Sequence, residues 1–428
     1  MNIREEAHRM KLVAPKLAAT KEEVRNAALA AIAENLKAHQ QEIFAENHKD
    51  LDAARENGIS DAVMKRLKFD EGKLKSVVDG IAQLIILPDP VGKVQFRRSL
   101  DEGLELERIS VPIGVIGVIF EARPDALVQI SSLCIKSGNC AVLKGGKETT
   151  YTNRILFKLI VEALSKAGLP EGILVQAEQH NEIDELLQCE GDVDLLIPRG
   201  SNTFVQYIMN HTKIPVMGHA DGVCHIYVDE EISDALTILV DAKTQYTAAC
   251  NAMETVLVKR SIAGSFLPKL YDAMTAAHVT MRGSEEVKCF LGERGKDFEV
   301  MAEDAYHKEY TDLICSVKCV ENVEEAVEHI NRFGSHHTDS VLTNQKEVAE
   351  YFLQMVDSAG VYHNCSTRFA DGFRYGFGAE VGISTSKLHA RGPVGLEGLM
   401  TYKYKLRGHG QIVGDYASGV KEFHFKDL

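Results

Sequence analysis

The feature that most constrains the fold is an alternation of apolar runs with helical segments, which starts near Val111. Val115 to Phe120 and Cys140 to Lys144 are apolar runs of strand length. Each is followed by a segment with helical periodicity, first Pro124 to Ser137 and then Thr150 to Ala167. Because parallel strands need long crossover connections, usually helices that cover both faces of the sheet, this alternation predicts parallel sheets of the α/β class.

The alternation first continues the same set and then begins a second one. The first set continues with strand-like runs at Ile173 to Ala177, Val193 to Ile197 and Ile214 to Met217. A further α/β set extends from Cys224 to about Cys365. A chain of 428 residues is also too long for one compact core. We therefore predict two Rossmann-like α/β domains.

Patterns of other kinds flank these two sets. Residues 5–85 carry helical periodicity, which Leu87-Pro88-Asp89-Pro90 ends. Residues 95–98 and 104–109 then alternate between apolar and polar side chains, which predicts a hairpin turning at Asp101-Glu102-Gly103. The segment from Tyr402 to Asp415 alternates again and can pair with that hairpin. These strands predict a small β element outside the two main sheets.

Composition excludes several classes of protein. The net charge is −14 and no basic run is present, which argues against nucleic acid or an acidic membrane as a partner. Nine cysteines without regular spacing do not form a disulfide framework, and Cys315 and Cys319 lack the second pair that a zinc site needs. The chain shows no signal peptide and no apolar run of membrane-spanning length. We expect a cytoplasmic protein without a bound metal.

Cys250 is the strongest candidate for a nucleophile. It lies in Thr247-Ala248-Ala249-Cys250-Asn251, a stretch of small residues between a helix-like segment and a strand-like run. A cysteine without bulky neighbours can reach a carbonyl carbon, and its thiolate is the attacking form. The alternative from these residues alone is a small buried apolar side chain.

Two glycine-containing turns are candidates for a cofactor site. No Gly-x-Gly-x-x-Gly joins a strand to a helix here. Leu143-Lys144-Gly145-Gly146-Lys147 does follow a strand and precede a helix, although an exposed basic turn is its simpler explanation. In Ile197-Pro198-Arg199-Gly200-Ser201, the serine is a suitable N-cap for the helix that follows.

These pieces, in this order, resemble the aldehyde dehydrogenase superfamily and, within it, the gamma-glutamyl phosphate reductase family. The resemblance covers nearly the whole chain. It rests on six stretches: Gly114 to Pro124, Ser137 to Lys144, Pro198 to Ser201, Thr247 to Asn251, Gly376 to Thr385 and Lys387 to Pro393. The last two, together with His336-His337-Thr338-Asp339, are similar to the reductase family rather than to the superfamily at large.

The resemblance implies an aldehyde dehydrogenase-like fold with roles for each part. Residues 1–95 and 111–222 would form a cofactor-binding domain and residues 223–398 a catalytic domain, while residues 96–110 and 399–428 would form an oligomerisation hairpin and tail. It implies Cys250 as nucleophile, with Asn251 assisting at the oxyanion. It implies cofactor contacts at the following residues: Lys144, Lys147, Pro198, Arg199, Gly200, Ser201 and Glu309.

Two departures from the superfamily carry information. The glutamate with which most aldehyde dehydrogenases activate water is absent from Met217-Gly218-His219-Ala220-Asp221-Gly222. A reductase that must protect its thioester from water has no use for that base. The superfamily's oxyanion asparagine is Ala122 here, so the backbone N–H of Cys250 and the side chain of Asn251 would do more of that work.

The cofactor expected from the resemblance is NADPH. Relatives that prefer NAD carry a glutamate three residues after the ribose lysine, where it accepts from the 2′-hydroxyl. Here that position is Lys147, whose positive charge suits a 2′-phosphate and which has no acceptor.

The resemblance also implies a reaction. Cys250 would attack L-glutamyl 5-phosphate, and the resulting thioester would be reduced to glutamate 5-semialdehyde, the second step of proline biosynthesis from glutamate. The substrate could be received from glutamate 5-kinase, and the protein would be a homo-oligomer. Candidate substrate contacts are Glu121, Arg123, His337, Lys387 and Arg391, each with an ordinary structural or surface role as its alternative.

Three alternative hypotheses about the function remain open from the sequence. One is an aldehyde-oxidising or CoA-acylating dehydrogenase of the same fold. The second is a catalytically silent relative that binds or supports other proteins. The third is a cysteine hydrolase, against which we count the lack of a clear histidine partner for Cys250.

Overall fold

The structure of the protein is a computed structural model that describes residues 2–179, 181–218 and 221–428. Its helices, in chain order, are α1 (Ile3–Ala18), α2 (Glu22–Ala38), α3 (Gln40–Glu56), α4 (Asp61–Leu67), α5 (Glu71–Ile86), α6 (Pro124–Ser137), α7 (Thr150–Lys166), α8 (Asn181–Leu187), α9 (Asn202–Asn210), α10 (Ala235–Thr244), α11 (Arg260–Ala276), α12 (Glu285–Leu291), α13 (Val323–Phe333), α14 (Lys346–Met355) and α15 (Val413–Ala417).

The strands follow the same order. They are β1 (Val94–Asp101), β2 (Leu104–Pro112), β3 (Val115–Phe120), β4 (Cys140–Lys144), β5 (Leu174–Ala177), β6 (Leu195–Arg199), β7 (Cys224–Val228), β8 (Met253–Lys259), β9 (Thr280–Gly283), β10 (Glu299–Val300), β11 (Ile314–Val320), β12 (Thr338–Leu342), β13 (Gly360–His363), β14 (Gly382–Ser384), β15 (Gly392–Val394), β16 (Met400–Arg407) and β17 (Lys426–Asp427). Within the described residues, no helix is long and apolar enough to cross a membrane.

The chain divides into two compact units. Unit 1 comprises residues 1–217, 377–382 and 394–428, and unit 2 comprises residues 218–376 and 383–393. The domain roles expected from the sequence stay predictions.

Unit 1 contains a parallel sheet with the strand order β5-β4-β3-β6. The strands β3 and β4 are buried along their whole length, as continuous apolar runs in a parallel sheet should be. Helix α6 begins with Pro124 in its first turn, where the missing N–H costs nothing, and ends at Gly138 in the left-handed conformation. These signals place β3, α6 and β4 at the bounds that the sequence predicts.

A second, antiparallel sheet of unit 1 has the order β16-β2-β1-β17. The predicted hairpin forms β1 and β2, and β16 pairs with β2 from Met400 opposite Pro112 to Arg407 opposite Glu105. The predicted pairing of the C-terminal segment with the hairpin is therefore confirmed as far as Arg407. Beyond it the chain leaves the sheet and forms α15.

One predicted strand of unit 1 is wrong. Residues 214–217 form only an isolated bridge between Val216 and Leu196 rather than a strand. Pro215 accepts a hydrogen bond from the N–H of Leu196 but has no N–H of its own to extend a ladder.

Unit 2 contains a seven-stranded sheet with the order β10-β9-β11-β8-β7-β12-β13, in which every pair is parallel. Apolar side chains of β7, β8 and β11 pack against α10 and α11 on one face and form the larger core cluster. Helices α13 and α14 pack on the other side with Tyr227, Leu257 and Val341. The strands β7 and β8 thus lie within the buried core, and the turn before β8 carries Cys250.

Candidate active site

Cys250 lies in the turn between α10 and β8, and its side chain is partly exposed. The turn is held closely by the segment that precedes β7. The buried Cys224 thiol donates to the carbonyl of Cys250 at 3.3 Å. Gly222 lies so near the Cys250 backbone that any Cβ at this position would collide with it. The backbone that presents the thiol is therefore fixed from two directions.

A histidine partner for Cys250 is present in unit 2. The Nε2 atom of His337 lies 3.1 Å from the Sγ atom of Cys250. The His337 Nδ1 atom lies 2.9 Å from the hydroxyl of Thr338. When that hydroxyl accepts from Nδ1–H, Nε2 carries the lone pair and can accept the thiol proton. The expectation that Cys250 lacks a histidine partner is wrong, because the two residues are 87 positions apart and meet only in the fold.

The buried cysteines contrast with this environment. Burial raises the pKa of Cys134, Cys140, Cys315 and Cys319 to about 12, so these thiols stay protonated at neutral pH. No described cysteine pairs in a disulfide.

Asn251 is buried and connects the turn to residues 366–370. Its side-chain amide donates to the carbonyl of Ala370 at 2.8 Å, and its own carbonyl accepts from the hydroxyl of Thr367 at 2.7 Å. The Oδ1 atom of Asn251 is buried without a partner among the described atoms. The segment around residue 368 is thereby held against the nucleophile turn. Assistance by Asn251 at the oxyanion stays a prediction.

Arg368, which the sequence analysis does not single out, lies between these two contacts. Its side chain is buried, its Nε donates to Gln245 at 2.9 Å, and its guanidinium lies 6.0 Å from the ring centre of Tyr246. Burial lowers its pKa, the neighbouring Arg374 lowers it further, and a negative charge on Cys250 would raise it. Gln245 and Tyr246 belong to the same connection that carries Cys250, so the guanidinium lies beside the nucleophile turn.

Lys387 and Arg391, two of the predicted substrate contacts, meet at one carboxylate. The ammonium of Lys387 lies 2.6 Å from Asp357, and the guanidinium of Arg391 lies 3.2 Å from the same carboxylate. The hydrogen bond from Lys387, helped by Arg391, holds the pKa of Asp357 below its ordinary value. The Asp357 carbonyl also lies 2.7 Å from the ring of His336, next to His337. Asp357 therefore balances only one of the two positive charges that it pairs with.

The predicted cofactor residue Glu309 lies partly buried in the loop before β11. This loop is tied to β8, because the N–H of Thr311 donates to Glu254 at 3.4 Å. Glu254 also pairs with Lys243 at 2.8 Å, and both side chains are fully buried. Burial raises the pKa of Glu254 to about 7, while Lys243 acts in the opposite direction.

The other predicted cofactor residues lie at one edge of the parallel sheet in unit 1. Lys144 ends β4 and Pro198 is near the end of β6, and both are in register with Ile119 of β3. Carboxyl ends of adjacent parallel strands are where α/β sheets bind ligands. Burial lowers the pKa of Lys144, and nearby glutamates oppose that shift.

The turns beyond these strand ends leave little room for side chains. A Cβ at Gly145 would collide with Asn153, and one at Gly146 with Glu148. Lys147 is exposed and begins a short 3₁₀ turn (Lys147–Thr149). Arg199 ends β6 and Gly200 leads into α9, and the Ser201 hydroxyl accepts from the N–H of Phe204, which confirms the predicted N-cap.

Glu121 and Arg123, predicted as substrate contacts, also lie in unit 1. Glu121 accepts a hydrogen bond from the backbone of Ser201, whereas its burial raises its pKa. Arg123 is the N-cap residue of α6. Ala122 between them has a positive φ of 47°, and its N–H donates to Glu148 at 2.5 Å. Glu121 is thus attached to the turn that carries the predicted cofactor residues.

The structure therefore brings the predicted residues together in two groups. One, in unit 2, contains Cys250, Asn251, His337, Lys387 and Arg391, with Glu309 on a loop tied to β8. The other, in unit 1, contains Glu121, Arg123, Lys144, Lys147 and residues 198–201. Of the stretch that lacks the water-activating glutamate, His219 and Ala220 lie outside the described residues.

The roles of three residues in this region were not predicted from the sequence. They are Thr338, Arg368 and Glu254. Only Glu254 carried a visible signal, since it is the single acid of the buried strand β8. The contacts of Thr338 and Arg368 depend on segments that are distant in sequence.

Comparisons with known proteins agree with this architecture. A sequence model of the aldehyde dehydrogenase family matches residues 2–292. The chain is 52% identical over 425 residues to the gamma-glutamyl phosphate reductase of Acetivibrio thermocellus. The matched stretch covers 99% of this chain and 97% of that protein. The chain is also 51% identical over 430 residues to the protein of the same name from Pelotomaculum thermopropionicum, covering 100% and 98%.

A solved structure of the same family matches the chain as well. The crystal structure of gamma-glutamyl phosphate reductase from Thermotoga maritima matches with a TM-score of 0.93 at 35% identity, covering 96% of this chain and 100% of that one. The chain belongs to the gamma-glutamyl phosphate reductases. The family resemblance and the aldehyde dehydrogenase-like α/β fold predicted from the sequence are confirmed, and the protein is an oxidoreductase of that family.

Proposed function

We propose that the protein reduces L-glutamyl 5-phosphate to glutamate 5-semialdehyde through a thioester on Cys250, as the second step of proline biosynthesis. The observation that carries the proposal is the 3.1 Å contact between Cys250 Sγ and His337 Nε2 on a chain of the gamma-glutamyl phosphate reductase family. A thiol beside a neutral imidazole can be deprotonated as it attacks, which is the arrangement a covalent mechanism requires.

The reaction proceeds by bond changes at Cys250. His337 Nε2 accepts the thiol proton, the sulfur attacks the acyl carbon, a C–S bond forms, and the C–O bond to phosphate breaks with both electrons leaving on phosphate. After reduction of the thioester, the alkoxide of the hemithioacetal collapses, the C–S bond breaks, and the protonated His337 returns its proton to sulfur. Electrons and protons on Cys250 and His337 are then as they were at the start.

The residues of unit 1 fit a nicotinamide dinucleotide. Lys144 at a strand end and the tightly packed Gly145 and Gly146 leave backbone accessible to a ligand, and α9 begins nearby at a serine cap. When bound, the reduced cofactor supplies the hydride that the thioester carbon accepts. Lys147 is the candidate to hold a 2′-phosphate, because it is exposed and makes no ion pair with any described residue. This supports NADPH rather than NADH.

The remaining parts of the proposal concern the substrate ends and the assembly. Lys387 and Arg391 suit an anionic group of the substrate, since Asp357 balances only one of their two charges. Glu121 and Arg123 remain further candidates. The substrate would come from glutamate 5-kinase, and the chain would act in the cytoplasm as a homo-oligomer.

The experiment that tests this function runs the reaction backwards. The purified protein is given glutamate 5-semialdehyde and NADP, and absorbance of NADPH is followed against the concentration of inorganic phosphate. General-base assistance is worth ~10²–10⁴ in rate, and without it water attacks a thioester slowly. We therefore expect one equivalent of NADPH per site when phosphate is absent and sustained turnover when phosphate is present. The accumulating product should be the acyl phosphate.

Two results would contradict the function. Rapid formation of free glutamate without phosphate would show that another group activates water. Turnover by Cys250→Ser, which should retain its fold and cofactor binding but lose activity, would remove the covalent mechanism. Reduction of NAD with simple aldehydes or with CoA, at a higher rate than the phosphate-dependent reduction of NADP, would favour the other dehydrogenases of this fold.

A further inference from the structure

Arg368 has the environment of a cation whose anionic partner is supplied from outside the protein. Only 8% of the residue is exposed, yet its contacts are the neutral Gln245 amide and the face of Tyr246. Among the described residues, no carboxylate lies within ion-pair distance of its guanidinium. Of the negative charges, one on Cys250 acts on it most, and Asp371 and Asp241 act on it less. Burying a guanidinium is costly unless an anion compensates it.

Arg25 of unit 1 shows how this chain treats a buried arginine that has a structural role. It is 1% exposed, and its guanidinium forms an ion pair with Asp89 at 2.7 Å and also donates to the Lys136 carbonyl. Arg368 is almost as deeply buried and lacks such a carboxylate. The charge of a Cys250 thiolate also acts on Arg368, but it is used up when the sulfur attacks, so we infer that a lasting counter-charge arrives with a ligand.

The placement of Arg368 selects which ligand group this is. The neighbouring Thr367 and Ala370 are both hydrogen-bonded to Asn251, the residue after the nucleophile. In an acyl phosphate, one oxygen bridges the phosphorus and the carbon that the thiol attacks. The phosphoryl group must therefore lie beside the nucleophile turn. The α-carboxylate lies at the far end of the glutamyl chain.

We propose that Arg368 binds the phosphoryl group of the acyl phosphate and forms the phosphate subsite of the reaction. This inference rests on the proposed function and specifies its leaving-group site. As the C–O bond breaks, negative charge accumulates on the departing phosphate, and the fixed guanidinium stabilises it. In the reverse direction, the same site holds inorganic phosphate while its oxygen attacks the thioester carbon and the Cys250 thiolate leaves.

The test separates the half-reaction that needs phosphate from the one that does not. Arg368→Gln and Arg368→Lys are compared with wild type in the reverse assay, with semialdehyde and NADP saturating and phosphate varied. The matched control is Arg332→Gln, because Arg332 is an exposed arginine of unit 2 that lies over Phe333. Loss of a charge-assisted contact should raise the KM for phosphate about ten- to a hundredfold in Arg368→Gln.

The other readouts identify the cause. The equivalent of NADPH formed without phosphate should persist in Arg368→Gln, Arg368→Lys should be intermediate, and Arg332→Gln should match wild type. A KM for phosphate within about twofold of wild type in Arg368→Gln would overturn the subsite while leaving the proposed function intact. Absence of phosphate dependence in wild type would instead overturn the proposed function and the subsite with it.

A measurement on the wild type keeps the inference testable if Arg368→Gln does not fold. Inorganic phosphate bound at Arg368 should slow the alkylation of Cys250 by iodoacetamide, whereas chloride at equal ionic strength should not. Equal alkylation rates in the two salts would overturn the subsite. If Arg368→Gln does fold, protection by phosphate that persists fully in it would also overturn the subsite, since the anion would then bind elsewhere.

Discussion

At the scale of single residues, the decisive contact is that between Cys250 and His337, and Thr338 contacts the other nitrogen of the same imidazole. The hydroxyl of Thr338 is the partner of His337 Nδ1 at 2.9 Å, and when it accepts from Nδ1–H the lone pair of Nε2 faces sulfur. A neutral hydrogen bond contributes about 0.5–1.5 kcal/mol, which corresponds to a factor of roughly two to ten. The threonine is therefore a positioning residue, and its contribution should be measurable at the thiol.

We expect Thr338→Val to slow the alkylation of Cys250 at pH 7 by roughly two- to tenfold, because Nδ1 loses its partner. Thr338→Ser should restore the rate, and His337→Asn should lower both alkylation and turnover further. The measurement is the rate of iodoacetamide alkylation against pH. An unchanged rate in His337→Asn would show that the imidazole does not activate the thiol. An unchanged rate in Thr338→Val alone would show that the threonine does not position the imidazole, while the role of His337 would stand.

Lys147 permits a test of cofactor choice at the same scale. Lys147→Glu should weaken NADPH binding by roughly ten- to a hundredfold and NADH binding much less, since the new carboxylate repels a 2′-phosphate. Dissociation constants for both cofactors can be measured by fluorescence titration. Lys166→Glu, an exposed lysine in the last turn of α7, provides the charge-matched control. Equal losses for the two cofactors would show that Lys147 does not bind the phosphate.

At the scale of secondary-structure elements, the pair of Lys243 and Glu254 joins α10 to β8, on either side of the nucleophile turn. Removing one partner of a buried pair leaves an uncompensated charge. We expect Glu254→Leu to lower the free energy of unfolding of unit 2 by about 3–5 kcal/mol at pH 8. Glu231→Leu, which breaks the exposed pair with Lys269, should cost less than about 1 kcal/mol. Urea denaturation measures both.

The same carboxyl group should make stability depend on pH. Burial raises the pKa of Glu254 from 4.5 to about 7, so the folded state holds a proton that the unfolded state has released between those values. Its contribution to stability is complete below about pH 4.5 and is lost as the pH rises through about 7. A Glu254→Leu variant should lack this part of the profile, and an identical profile would show that the shift has another origin.

The elements were largely predictable where local chemistry determines them. The apolar run of β3, the first-turn proline of α6 and the left-handed Gly138 each act over a few residues, so their bounds are visible in the sequence. Residues 214–217 have the apolar content of a strand but form only a bridge, because Pro215 has no N–H with which to extend the ladder. The Cys250–His337 contact and the buried Arg368 require the assembled sheet, and no local pattern in a single sequence reveals them.

At the scale of the whole molecule, the antiparallel sheet of unit 1 bears on assembly. Within the described residues, no strand pairs with the outer edge of β16. Tyr402, Tyr404 and Leu406 alternate along this strand and are 51%, 55% and 57% exposed. Lys403 and Lys405 alternate with them, so the apolar side chains share one face of an open edge, and exposed apolar side chains along an open edge favour pairing with another chain. These properties support the proposal that the chain forms a homo-oligomer through β16.

We expect sedimentation velocity to show wild type as a species larger than one chain. Tyr404→Lys combined with Leu406→Lys should shift it to a smaller species, because two buried apolar contacts are replaced by charges that cannot be buried unpaired. Leu12→Lys is the matched control, since Leu12 of α1 is 65% exposed but isolated from this sheet. A monomeric wild type, or an oligomer that both sets of variants leave intact, would contradict assembly through β16. Retained alkylation of Cys250 in the smaller species would show that the thiol environment does not depend on the partner chain.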